Sequence, residues 1–126
     1  MSLTLLLLEG RLAVCRLAPG DEVPAWASDG AFTSVTRTRD ELSVVCAEGA
    51  VPEGIRSEGG WRVFRMEGPL DFGMTGILAS VAVPLAGAGV SIFAVSTFDT
   101  DYVLVKEGEV PRAIAALRVA GHRVST

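Results

Sequence analysis

This 126-residue chain has one histidine, His122, and two cysteines, Cys15 and Cys46. The cysteines sit in apolar, strand-like runs and not at metal-ligand spacing, and no acid or thiol stands near His122 at such a spacing. Two buried thiols are expected, not a disulfide or a redox pair. His122 falls on a presumed terminal strand, where a structural or solvent-facing role is expected. No P-loop and no GxGxxG occurs, and no serine or cysteine can be paired with a base, so neither catalytic residues, metal ligands nor cofactors are expected. Basic charge is scarce too. Eleven Lys and Arg, scattered singly, face 15 Asp and Glu, for a net charge of −4 and a pI near 4.9. Without a basic face to neutralise phosphates, nucleic acid is not an expected partner. The N-terminus lacks the basic start and cleavage site of a secretion signal, so a cytoplasmic protein is expected.

Charge is missing altogether between Phe72 and Phe98. A membrane span would need such a stretch, but Pro84 lies in its middle, "GAG" at 87–89 would end a helix, and "VSIFAVST" beyond it reads as a strand. The reading is a helix buried on more than one side, followed by a buried strand, with no membrane partner. An apolar fraction of 49% fits one compact domain or two small subdomains sharing a core.

What is present in quantity is self-similarity. "EGAVPEGI" at 48–55 and "EGEVPRAI" at 107–114 are nearly the same helix start, with a proline where a first helical turn tolerates a missing N–H. Upstream, "FTSVTRTRDELSVVCAEG" at 32–49 lies against "IFAVSTFDTDYVLVKEG" at 92–108. Allowing one extra residue in the first places Val35 opposite Val95, Val44 opposite Leu104 and Val45 opposite Val105. Further back, "RLAVCRLAPG" at 11–20 parallels "WRVFRMEGPL" at 61–70. The chain is a degenerate duplication of a strand, helix, strand, strand, helix unit, the split βαβ pattern. Strands are predicted at about 3–9, 11–17, 31–38, 42–47, 61–67, 90–97, 101–106 and 121–125. The membership of 3–9 and 61–67 is left open between two sheets. Helices are predicted at 75–88 and 109–120, with much shorter counterparts near "DEVPAWA" and "VPEGI".

In the second copy, "GILASVAVPLAGAGVSI" at 76–92 opens with a glycine, places Leu78, Val81 and Leu85 at helical spacing and closes in Gly-Val-Ser-Ile. This resembles the signature of the ACT-domain family, over the whole stretch from Trp61 to about Val124. Within that family, "STFDTDYVLVKEGEVPRAIAALRVAG" is most similar to small tandem proteins related to the amino-acid-sensing arginine sensors and to aspartokinase regulatory domains. Three features depart from the pattern. Pro84 interrupts the first helix, Ser91 stands where many members have asparagine, and the N-terminal copy has no helix-opening glycine. The resemblance implies an α+β fold of tandem ferredoxin-like units with two four-stranded antiparallel sheets and helices packed on one face. The expected division is 1–60, a degenerate unit, and 61–126, a full ACT domain, joined by a linker at Ser57–Gly60 and packed as one body.

The resemblance also implies a ligand site, a clamp for a zwitterion and not a catalytic centre. The loop "DFGMTG" at 71–76 (Asp71, Gly73, Met74, Thr75, Gly76) leads with Ile77 into a helix N-terminus, whose unpaired N–H groups suit a carboxylate. Opposite it, Ser96, Thr97, Phe98, Asp99 and Asp101 offer hydroxyls and carboxylates for an α-amino group or a cationic tail. The expected function is a non-enzymatic regulatory or sensor protein for a free amino acid, acting on a regulated partner. The alternative is an interaction module whose pocket is vestigial. A homodimer or higher homo-oligomer is expected, because one sheet cannot cover a helix with Ile77, Val81 and Leu85 on one face and alanines and Val83 on the other.

Overall fold

The computed structural model describes residues 1–70 and 74–126. Eight strands and two α-helices occur among them: β1 (Thr4–Leu7), β2 (Leu12–Leu17), β3 (Ser34–Arg37), β4 (Leu42–Ala47), β5 (Arg56–Met66), α1 (Ile77–Gly87), β6 (Phe93–Ser96), β7 (Asp101–Lys106), α2 (Val110–Val119) and β8 (Arg123–Ser125). The fold is α+β. Two compact units divide it, residues 9–61 and residues 1–8 with 62–126.

In the C-terminal unit the strand order is β8, β1, β5, β7, β6. β1 runs antiparallel to β5, with Leu5 opposite Met66, and parallel to β8, with Leu5 opposite Val124. The N-terminal strand thus belongs with the C-terminal unit, giving it a fifth strand and one parallel pair where four antiparallel strands were expected. Alternation along the strands sends Leu5, Phe64, Met66, Val103 and Val105 to one face, where they pack on α1 and α2. α1 buries Ile77, Val81 and Leu85, spaced four apart, in that core. α2 starts with Pro111 in its first turn, as read from sequence, and buries Val110, Ala113 and Leu117.

Pro84 does not interrupt α1, which continues through it to Gly87. A proline at 84 cannot donate to the carbonyl of Ser80, four residues back. His122 takes that role, its Nε2 lying 2.8 Å from the Ser80 oxygen, while its Nδ1 accepts the Leu3 N–H at 3.0 Å. One neutral tautomer, protonated at Nε2, satisfies both bonds. The lone histidine is therefore a buried structural one, tying β1 and the start of β8 to α1.

In the N-terminal unit the order is β3, β4, β2, β5, all antiparallel. Its core gathers Ala13, Cys15, Ala27, Leu42, Val44 and Cys46. Among the described residues it has no α-helix. The short helix predicted near "DEVPAWA" is a 3-10 turn, Ala25–Ser28, whereas "VPEGI" forms no helix and only follows a 3-10 turn at Glu48–Ala50. "EGAVPEGI" fails to continue as a helix because Gly54, at φ 86°, stands where "EGEVPRAI" has Ala113 and turns the chain into β5. Ser57–Gly60 is not a linker either. These residues lie inside β5, an 11-residue strand whose first part pairs with β2 and whose last part pairs with β1. The register slips at Gly59–Gly60, a bulge that Gly60 permits with φ 77° and that the Glu48 carboxylate holds by accepting the Gly60 N–H at 2.6 Å.

The hairpins show the duplication in register. Val35 pairs with Val44 and Ala94 with Val103, so Val35 corresponds to Ala94 and not to Val95, and each hairpin closes through a loop that opens on threonine. Thr38 N–H donates to Glu41 O at 2.9 Å and Thr97 N–H to Thr100 O at 2.8 Å. The loops are equal in length, so the extra residue allowed in the first copy does not exist. Val44 corresponds to Val103, not Leu104, and both are fully buried.

Candidate functional site

The turn between β6 and β7 is built by its threonines. Thr97 Oγ1 donates to Thr100 O at 3.0 Å, and Thr100 Oγ1 donates across to Met66 O on β5 at 2.7 Å. Leu70 N–H donates to Asp99 O at 2.7 Å. Gly68 lies so close to the turn that a Cβ there would sit 3.1 Å from Asp99 O and 3.2 Å from Thr100 Cβ. The turn is thereby fixed to the end of β5, and its outward side chains face the start of α1.

That start is uncapped. The residue before the helix is Gly76, left-handed at φ 75°, with no side chain to accept the first-turn N–H groups. Helix start and turn enclose a cavity of about 300 Å³. Met74, Gly76, Ile77 and Leu78 form the helix side, residues 96–101 the turn side, and Leu70 completes the wall. Of the site residues read from sequence, Met74, Gly76, Ile77, Ser96, Thr97, Phe98, Asp99 and Asp101 come together here. Thr75 is exposed and is not part of the wall, and Asp71 and Gly73 lie outside the described residues. All of the lining belongs to the C-terminal unit.

Leu70, Leu78 and Thr100 line the cavity and were not read from sequence. Thr100 was legible in principle, because Thr-x-x-Thr across a hairpin loop signals a side-chain-braced turn. Leu70 carried no comparable signal. The hydroxyl proton of Thr97 is committed within the turn, leaving the oxygen as an acceptor. The cavity thus has helix N–H donors on one side and two carboxylates, Asp99 and Asp101, on the other. Phe98, 79% exposed, stands over it as an apolar surface. Such a space can hold a small zwitterion by both ends, and its size is at the low end of the range for ligand pockets.

The cysteines offer no second centre. Both are free and buried in the N-terminal core, two pair steps apart on β2 and β4. Burial, reinforced by Cys46, pushes the Cys15 thiol up to about 11, which keeps it protonated and unreactive. Among the described residues, no cluster of His, Cys, Asp or Glu could hold a metal ion, and no helix is long and apolar enough to cross a membrane.

A cavity framed by a glycine-led helix start and a strand turn thus lies within a split βαβ unit. The ACT domain family matches residues 56–119, and a second family, described as an N-terminal domain, matches residues 10–54. The chain belongs to the ACT domain family. The rat protein "Cytosolic arginine sensor for mTORC1 subunit 1" is 44% identical over 59 residues, which are 46% of this chain and 18% of that protein. The match thus spans less than a fifth of that relative. The crystal structure of an Agobacterium tumefaciens protein superposes with a TM-score of 0.94 at 41% identity, covering 99% of this chain and 93% of that one. The regulatory subunit of aspartate kinase from Thermus flavus shares the fold, with a TM-score of 0.65 at 12% identity over 95% of this chain and 99% of that one.

Proposed function

We propose that this chain is a cytoplasmic regulatory protein without catalytic activity, which binds a free amino acid in its C-terminal unit and passes the occupancy on to a protein partner. The observation that carries this reading is the convergence of the uncapped α1 start with Asp99 and Asp101 on one cavity of about 300 Å³. The carboxylate of the ligand meets the helix N–H groups, and its amino group or cationic tail meets the aspartates. The kinship to a protein named as an arginine sensor makes arginine the first ligand to test. In this proposal residues 1–8 with 62–126 are the ligand-bearing unit and residues 9–61 the supporting one.

A thermal-shift screen with the twenty amino acids tests it. At 100 times its dissociation constant a true ligand adds about 2.7 kcal/mol of stability. No shift with any of them overturns the reading. Gly76→Ala is a gentler probe of the helix start than a bulkier residue, because Gly76 has open space around it but a left-handed backbone that any side chain strains, a β-branched one most.

A second feature favours homo-oligomer formation. Val83 is 68% and Val119 90% exposed, and a groove of about 430 Å³ between α1 and α2 is walled by Pro84, Ala88, Ala115, Ala116 and Val119. A second copy laying its own helices here would cover this apolar surface. Light scattering at high micromolar concentration checks it, and a strictly monomeric mass counts against it. The same surface would serve an interaction module if the amino-acid screen fails.

A further inference from the structure

The sheet of the C-terminal unit has a second polar recess, on the face away from the helices. Along β5, Phe64 and Met66 point into the helix-side core, so Arg65 between them points the other way. Along β7, Val103 and Val105 join that core, which leaves Tyr102 on the same far face as Arg65. Arg65 and Tyr102, with Gly68, Pro69, Asp99 and Thr100, line a cavity of about 280 Å³.

Arg65 is unusual in this chain. Only two arginines are partly buried, Arg62 and Arg65. Arg62 donates to Leu8 O at 3.1 Å and sits 4.0 Å from the Glu107 carboxylate. The guanidinium of Arg65 has no such acceptor among the described residues, although its Nε is wholly buried. A partly buried guanidinium with no acceptor among the described residues is placed to take an oxyanion from solution. The planar fork of a guanidinium fits an oxyanion through two parallel N–H bonds.

We propose that the Arg65 recess is a binding site for a small carboxylate, separate from the cavity at the start of α1. Arg65 holds the carboxylate, and the Tyr102 phenol and Thr100 hydroxyl bound the recess on the β7 side. The exposed carboxylate of Asp99 lies on the same wall and sets the charge that is accepted. It repels a dianion such as phosphate and tolerates a monoanionic carboxylate, above all one carrying an ammonium group that Asp99 can pair. Asp99 and Thr100 line both recesses, so occupancy of one bears on the other through the turn at 97–100. The inference does not rest on the amino-acid reading of the first cavity, since acetate has no amino group.

The test is a side-chain 15N–1H NMR titration of the full chain at constant ionic strength, with sodium acetate and, separately, inorganic phosphate. The Nε–H resonance of Arg65, assigned by its loss in Arg65→Lys, should shift saturably with acetate and at least fivefold more weakly with phosphate. The accompanying shifts at the Gly68 and Thr100 amides should vanish in Arg65→Met, which keeps the apolar stem, and persist in Asp101→Asn, which alters only the first cavity. Absence of a saturable shift with acetate overturns the proposal. So do unchanged Gly68 and Thr100 shifts in Arg65→Met. Phosphate binding as tight as acetate overturns the role given to Asp99. If Arg65→Met fails to fold, Arg65→Lys decides, because a lysine cannot make the forked contact and should weaken acetate binding about tenfold.

Discussion

The two hairpins, β3–β4 and β6–β7, share a backbone and differ in what they carry. Both close through four residues opened by a threonine whose N–H reaches the last carbonyl of the loop. At the first position after the loop the N-terminal hairpin has Leu42, fully buried, where the C-terminal hairpin has Asp101, partly exposed at a cavity. At the last position before the loop, Arg37 stands against Ser96, and within the loop Arg39 stands against Phe98. Duplication preserved the turn because its hydrogen bonds are local. The cavity beside the turn was not preserved, because it needs an α1 start that the N-terminal unit replaces with a 3-10 turn. A hairpin alone is not a site. What sets the second hairpin apart is the helix N-terminus that faces it.

Exchanging the residues of this pair is the strongest way to break the comparison. Leu42→Asp places a carboxylate in the closed N-terminal core and should destabilise the chain by about 4 kcal/mol or more, read as a collapse of the urea midpoint. A mild effect would mean that the two positions are equally open. The converse change, Asp101→Leu, should leave the midpoint nearly in place and weaken an amino-acid ligand by about 1.5–3 kcal/mol, the range for a charge-assisted bond, measured by calorimetry. Equal affinity in the two forms would move the ligand elsewhere.

The helix present in only one unit gives the next test. His122→Phe leaves both the Leu3 N–H and the Ser80 carbonyl unpaired and should cost about 1–3 kcal/mol. Adding Pro84→Ala supplies an N–H to Ser80 from within α1 and should recover part of that loss. Simple additivity of the two changes would show that His122 does not stand in for the missing donor. The smallest effect sharpens the comparison instead of breaking it. Thr38→Val and Thr97→Val should each cost about 0.5–1.5 kcal/mol, alike in the two units because the turns are alike, whereas only Thr97→Val should also reduce ligand affinity.

Much of this architecture was legible in the residues. All eight strands, both α-helices and the helix-opening role of Pro111 follow from periodicity and punctuation. Those signals are local, and the structure agrees with them to within a few residues. The offset of the two hairpins was misread by one residue because valines at 44 and 45 fit either frame, and only the paired register tells which faces the core. Pro84 was read as a break because its lost bond is counted within the helix, while His122, which replaces the donor, lies 42 residues from the Ser80 acceptor in sequence.

The sequence by itself determined the class of fold, the duplication and most of the groups that meet at the cavity, since each is written in side-chain type and spacing. Tertiary structure decided the rest. It gave β1 to the C-terminal unit and ran β5 through a bulge where a linker was expected. It also left Arg65 without a partner among the described residues on the far face of the sheet. These outcomes turn on which backbone edge and which buried charge find a partner across the fold. Hydrogen-bond and charge satisfaction between distant segments has no period along the chain, so no local pattern could announce it.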